Sequence, residues 1–155
     1  MRTEGATTFG ATEIVQTLTP INKMNIKIKR QIERQILEDV FVNALEGGSN
    51  YWYWLPEKEV LKIRKAVTKK DEPCLSVALF KAVVDHGVEV DIYDREDEGE
   101  LLGTISIHSM ERRLQSLSDN NLYAWALDLH LREDGDANSA DVIFQYIALN
   151  EVIYG

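Results

Sequence analysis

Cysteine is nearly missing from this chain: Cys74 is the single one in 155 residues. An internal disulfide is excluded and a cysteine-based zinc site has too few ligands, so the residue reads as a small core side chain in a reducing cytoplasm. No run of about 18 apolar residues could span a bilayer, and the N-terminus lacks the basic start and apolar centre of an export signal. A membrane partner is therefore not expected. The three histidines, His86, His108 and His130, are too far apart for the helical spacing of a metal-binding pair. There is no glycine-rich phosphate loop followed by Lys-Ser or Lys-Thr, and no serine in a nucleophile elbow. Asp94 to Gly99 has the alternating carboxylates of a calcium loop, but Ile105 stands where the bidentate acid belongs. No metal and no cofactor are expected.

Positive charge is also in short supply. Seventeen Lys and Arg against 26 Asp and Glu give a formal charge of −9, which opposes a polyphosphate backbone and disfavours general nucleic-acid binding. The basic residues are clustered, however. Lys23, Lys27, Lys29, Arg30 and Arg34 form one stretch, and Lys58, Lys62, Arg64, Lys65, Lys69 and Lys70 another. Both can be solvated faces, or part of a local anion site, because they flank the least ordinary segment of the chain, Glu46-Gly47-Gly48-Ser49-Asn50-Tyr51-Trp52-Tyr53-Trp54. There an amphipathic helix runs into two glycines, expected to take left-handed angles and to allow a close approach, and then into four aromatics. Such a segment can anchor a turn to a core or recognise a flat ligand.

The length suits one domain with one core. Residues 1 to about 22, rich in Thr, Gly and Ala, read as an arm that is flexible or docks on a neighbouring subunit through Phe9, Ile14 and Val15. Residues 23–155 read as a single α+β domain. Asn25 to Lys29 alternates apolar and basic residues as a short half-exposed strand does, and from Ile32 apolar residues recur at three and four to Leu45. Glu46 then sits beside unpaired helix carbonyls that disfavour its charged form, so it needs a partner. Further helices are expected over Glu57 to Thr68, buried through Val60, Leu61, Ile63 and Val67, and over Cys74 to His86, ending before Gly87. Val88 to Tyr93 and Leu102 to Ile107 form a hairpin around the charged turn Asp94 to Glu100. Three more helices follow: one capped by Ser109, one over Leu122 to Leu131, and one capped by Ser139 and burying Val142, Ile143, Tyr146, Ile147 and Leu149. The closing Val152-Ile153-Tyr154 is too apolar to hang free. The sum is a small antiparallel sheet packed against several helices.

Three strings carry a more specific likeness: Ala44-Leu45-Glu46-Gly47-Gly48-Ser49-Asn50-Tyr51-Trp52, Ala137 to Tyr146 with its Ala140-Asp141 and Gln145, and Asn150-Glu151-Val152-Ile153-Tyr154-Gly155. Together they resemble a family of small, mostly uncharacterised bacteriophage and prophage proteins over about residues 25 to 155. Its members carry Leu-Glu-Gly-Gly-x-x-Tyr-Trp after a helix and end in Ala-Asp-x-x-x-Gln and Gly-Glu-x-x-Tyr-Gly, with Asn150 here in place of the glycine. The resemblance implies a phage origin, action in the host cytoplasm and no assigned reaction. It also raises Glu46, Asn50, Tyr51, Trp52, Asp141, Gln145 and Glu151 as a polar set around ring faces.

The expected function is that of a non-enzymatic phage accessory protein that binds and sequesters a small nucleotide-like ligand, such as a host immune signal. Trp52 or Tyr51 would stack on a base, Asn50 and Gln145 would read its edge, backbone amides near Gly47 and Gly48 with a flanking cation would meet phosphate, and Glu46 or Asp141 would take ribose hydroxyls. Self-association into a homo-oligomer fits a sequestering protein. One alternative is an inhibitor of a host defence protein, using the eight carboxylates from Asp85 to Glu100 as a nucleic-acid mimic. Another is a hydrolase, should Glu46, Asp141 and Glu151 converge.

Overall fold

The computed structural model describes residues 22–155. The expected arm, apart from Asn22, lies outside the described residues, as do Phe9, Ile14 and Val15. Residues 22–31 belong to a unit separate from the body Ile32–Gly155. They carry no regular secondary structure and are exposed throughout, Met24, Ile26 and Ile28 included. The strand expected at Asn25 to Lys29 is therefore absent: alternation supplies an amphipathic face, but a strand also needs a hydrogen-bonded ladder.

The body begins with α1, Arg34–Asn43, whose Val40 and Phe41 are buried. A π turn, Ala44–Gly48, continues it directly. After β1 (Tyr53–Trp54) come α2 (Glu57–Ala66), α3 (Leu75–His86), β2 (Val90–Asp94), β3 (Leu101–Ile105), α4 (Ile107–Ser118), α5 (Ala124–Leu131) and α6 (Ala137–Leu149). The sheet order is β1-β2-β3, antiparallel at both junctions, with Trp54 opposite Tyr93 and Val90 opposite Ile105. The α+β architecture is as expected. The two-residue β1 is an addition, drawn from the aromatic run.

Helix α6 is the spine. Ten successive residues from Ser139 to Ala148 are buried, and α1, the π turn, α4, α5 and β3 all pack on it. A helix covered on every side needs apolar residues on every side, which the Val-Ile-Phe-x-Tyr-Ile-Ala sequence provides. Phe144 meets Phe41 edge-on at 5.8 Å between ring centroids, and Phe41 meets Phe80 at 5.3 Å. The far end of α6 is held by Arg113, whose Nη1 donates to the carbonyls of Thr104, Ile147 and Ala148, a cation where the helix dipole is negative.

Several boundaries differ from the sequence reading. Ser106, not Ser109, caps α4, its hydroxyl accepting from the His108 amide. Asp136, not Ser139, caps α6; Ser139 is the return half of a capping box. Leu61 is exposed on α2, while Ile63 and Val67 are buried. Gly87 ends α3 at φ 67°, as a helix-terminal glycine does, and Asn150 ends α6 at φ 63°, since asparagine is the residue after glycine that best tolerates that conformation. Among the described residues no helix is long and apolar enough to cross a membrane.

Candidate functional site

The site is built where the π turn meets the start of α6. Ser49 N donates to the Ala44 carbonyl at 2.8 Å, the wider bond of a π turn, and the Tyr53 hydroxyl occupies the Leu45 carbonyl at 2.9 Å. Neither Gly47 nor Gly48 has a positive φ, so the left-handed angles expected there are not adopted. Gly48 is required for closeness instead: a Cβ there would lie 2.2 Å from the Ala137 carbonyl oxygen, so only glycine lets the turn rest against α6.

That contact delivers three donors to one carboxylate, and α6 itself supplies a fourth. Asp141, 7% exposed, accepts from Ser49 Oγ at 2.7 Å, Tyr51 OH at 2.6 Å, Trp52 Nε1 at 2.8 Å and Gln145 Nε2 at 3.2 Å. All four partners are neutral. Burial, and after it the Asp141 carboxylate, push the Tyr51 phenol well above its ordinary value, since ionising it would place a second anion beside the first.

Gln145 ties in the tail. Its Oε1 accepts from the Ile153 and Tyr154 amides at 2.8 and 3.0 Å, and its Nε2 donates to the Tyr154 carbonyl at 3.1 Å as well as to Asp141. Both donors and both acceptor sites of this amide are thus occupied, so it cannot also read a ligand edge. Trp52 is 2% exposed and stacks on Tyr154 at 5.1 Å with the rings 8° from parallel, while tilting against Phe144. Its ring is internal, and the base-stacking role expected of it has no free face. The stack explains why the apolar tail is held.

A cleft of about 630 Å³ opens beside this network. Gly48, Tyr51, Asn138, Asp141 and Val142 line it, together with Tyr123 and Trp125 at the start of α5 and the tail, Val152 to Gly155. Tyr51 and Trp125 are roughly half exposed, at 48% and 46%. Of the expected site residues, Gly48, Tyr51 and Asp141 line the cleft, and Trp52 and Gln145 stand behind it. Gly47, Asn50 and Glu46 are not part of its lining. Asn50 is exposed. Glu46 Oε2 instead accepts from Cys74 Sγ at 2.9 Å and Ser76 Oγ at 2.6 Å, which hold its carboxyl below the usual range. It has the partner its position required, but that partner lies at the start of α3. Glu46 and Asp141 are thus bound to different partners, and Glu151 is exposed.

Tyr123, Trp125 and Asn138 were not singled out in the sequence. Their signal is weak, because Tyr and Trp inside an apolar helical stretch read as packing. The acidic segment is also not one bare surface: Arg34 pairs with Asp85 at 2.6 Å, Thr104 donates to Asp91, and Asp94 accepts from the Glu96 and Asp97 amides. Glu96, Asp97, Glu98 and Glu100 stay exposed in the turn between β2 and β3. Among the described residues no group of three or more His, Cys, Asp or Glu is placed to hold a metal ion. Ser139 Oγ lies 2.9 Å from His130 Nε2, yet both residues are buried and the Asp136 carboxylate bonds Ser139 rather than the imidazole, so this trio braces the α6 cap.

Comparison of the chain with protein-family models, with curated proteins and with solved structures finds no match.

Proposed function

We propose that this is a phage accessory protein that binds and sequesters a small nucleotide-like ligand through a flat heteroaromatic ring. One observation carries the reading: an open cleft of about 630 Å³ with four aromatic side chains, Tyr51, Tyr123, Trp125 and Tyr154, beside the polar side chain of Asn138. Its size falls within the range of about 300 to 1,000 Å³ usual for small-molecule sites. Half-exposed rings lose little hydration when a second ring covers them, and base-on-ring stacking is worth about 1–3 kcal/mol per base. Tyr51 therefore keeps the stacking role expected of it or Trp52, and Trp125 joins it. No Lys, Arg or His lines the cleft, so base and sugar occupy it and any phosphate lies outside, in solvent.

The test is native mass spectrometry of the purified protein for retained ligand, followed by thermal shift with linear and cyclic nucleotides and nucleosides. A mass adduct or a shift lost in Trp125→Ala supports binding at this cleft. No adduct, and no shift at millimolar concentration, refutes it. The second reading, inhibition of a host protein, rests on the four carboxylates exposed between β2 and β3. It predicts that a host partner captured by the wild type is lost when those four become amides, and it falls if capture is unchanged.

A further inference from the structure

The cleft has a charge character that its rings alone do not give it. Asp141 has a hydroxyl, a phenol, an indole and a carboxamide as its partners, none of which cancels its charge. It accepts all four hydrogen bonds, the arrangement an ionised carboxylate gives. The lining contains no basic side chain that could balance it. The amino end of α6, a source of positive potential beside Asn138, is already engaged: Asp136 accepts from the Ser139 amide at 2.9 Å, and that amide, with a smaller contribution from Asn138, draws its carboxyl below the ordinary range. Aromatic faces add in the same direction, since their quadrupole is negative toward a ligand lying over the ring. A carboxylate behind and rings at the sides make a cage that attracts cations and repels anions.

Resting on the reading of the cleft as a nucleoside-sized site, we propose that the ring it takes is positively charged: an N-alkylated heteroaromatic cation such as an N-methylated purine or an N-substituted pyridinium. Such a ring offers a flat face to Tyr51 and Trp125 and a delocalised charge to the field of Asp141. It is also weakly hydrated for a cation, so it enters a half-open aromatic cleft at lower desolvation cost than an ammonium does. A phosphate in the same place would face Asp141 with no counter-charge.

Isomers that differ in charge test this directly. 1-Methyladenosine is a cation at pH 7 and N6-methyladenosine is neutral, with the same sugar and the same methyl count. Titration calorimetry of the full chain is expected to give at least tenfold tighter binding of 1-methyladenosine. Asn138→Lys, an exposed position on the cleft wall, is expected to bring that ratio to one or below while leaving the circular dichroism unchanged. If both isomers bind equally, or the neutral one binds better, the charge inference is overturned and the cleft reading survives. A preference that persists undiminished in Asn138→Lys overturns the placement of the charge at this cleft. If neither isomer nor any nucleoside binds the folded protein at millimolar concentration, the cleft reading itself is wrong and the inference falls with it.

Discussion

Asp141→Asn is the substitution that most directly probes the junction between the turn and α6. Asparagine keeps the shape but replaces one acceptor oxygen by an NH2 group. Trp52 Nε1 can only donate, and it is buried, so the remaining oxygen must stay on the side of Ser49 and Trp52. The new NH2 then faces Tyr51 OH at 2.6 Å and Gln145 Nε2 at 3.2 Å. The phenol can rotate to accept. Gln145 cannot flip its amide, because its oxygen holds the Ile153 and Tyr154 amides. One buried donor is left opposed by another, at about 1–3 kcal/mol, and the bonds that remain lose the charge assistance that makes them worth about 1.5–3 kcal/mol. Removing a buried charge with no cationic partner returns part of this. The net expectation is a loss of about 3 kcal/mol in urea-induced unfolding, or about 10 °C in melting temperature for a domain of this size. A loss below about 1 kcal/mol, within the scatter of ordinary surface substitutions, would refute the claim that this carboxylate fastens the turn.

Gly48→Ala is expected to cost about 1–3 kcal/mol, because its Cβ meets a backbone oxygen that cannot move aside, whereas Gly47→Ala has open space and a compatible φ and is expected to be neutral or slightly stabilising in the same thermal melts. Burial pushes the His130 imidazole below its ordinary value of about 6.5, so the stability it confers as a neutral group is complete above that pH and is lost as pH falls toward its lower folded value. Denaturation midpoints should therefore fall as pH drops below about 6.5, less steeply in His130→Gln; equal slopes in the two proteins contradict this. Gln145→Leu removes the acceptor of the Ile153 and Tyr154 amides, so hydrogen exchange at those two positions should speed up while Ile143 and Ile147 stay protected.

Periodicity made most of the body legible before any coordinates. The recurrence from Ile32 to Leu45 and the all-round apolar α6 required helices, and the alternation of Val88 to Tyr93 around a charged turn required a hairpin. The caps were less legible. Ser106 and Ser109, like Asp136 and Ser139, are pairs of capping residues three apart, and backbone angles that no propensity fixes decide which one starts the helix. For the site, the two halves that meet at Asp141 were both singled out, but their roles were not. A ring's chemistry depends on whether its face is free: Trp52 is covered by Tyr154, and Trp125, inconspicuous in the sequence, is half exposed. Asp141 is separated from Ser49 by 92 residues, and only the fold states that the acid and its donors meet.

The π turn carries a consequence for how this chain tolerates insertion and deletion. Each helical residue advances the backbone by about 100°, so removing one residue between Ala44 and Gly48 would let the widened coil tighten into an ordinary α turn with no penalty of its own. Ser49 N would meet the same Ala44 carbonyl as an ordinary α-helical pair, so Ser49, Tyr51 and Trp52 would stay beside the acid they now surround. The surplus residue in that coil is slack that the fold can take up, provided a glycine remains where Gly48 now meets the Ala137 carbonyl.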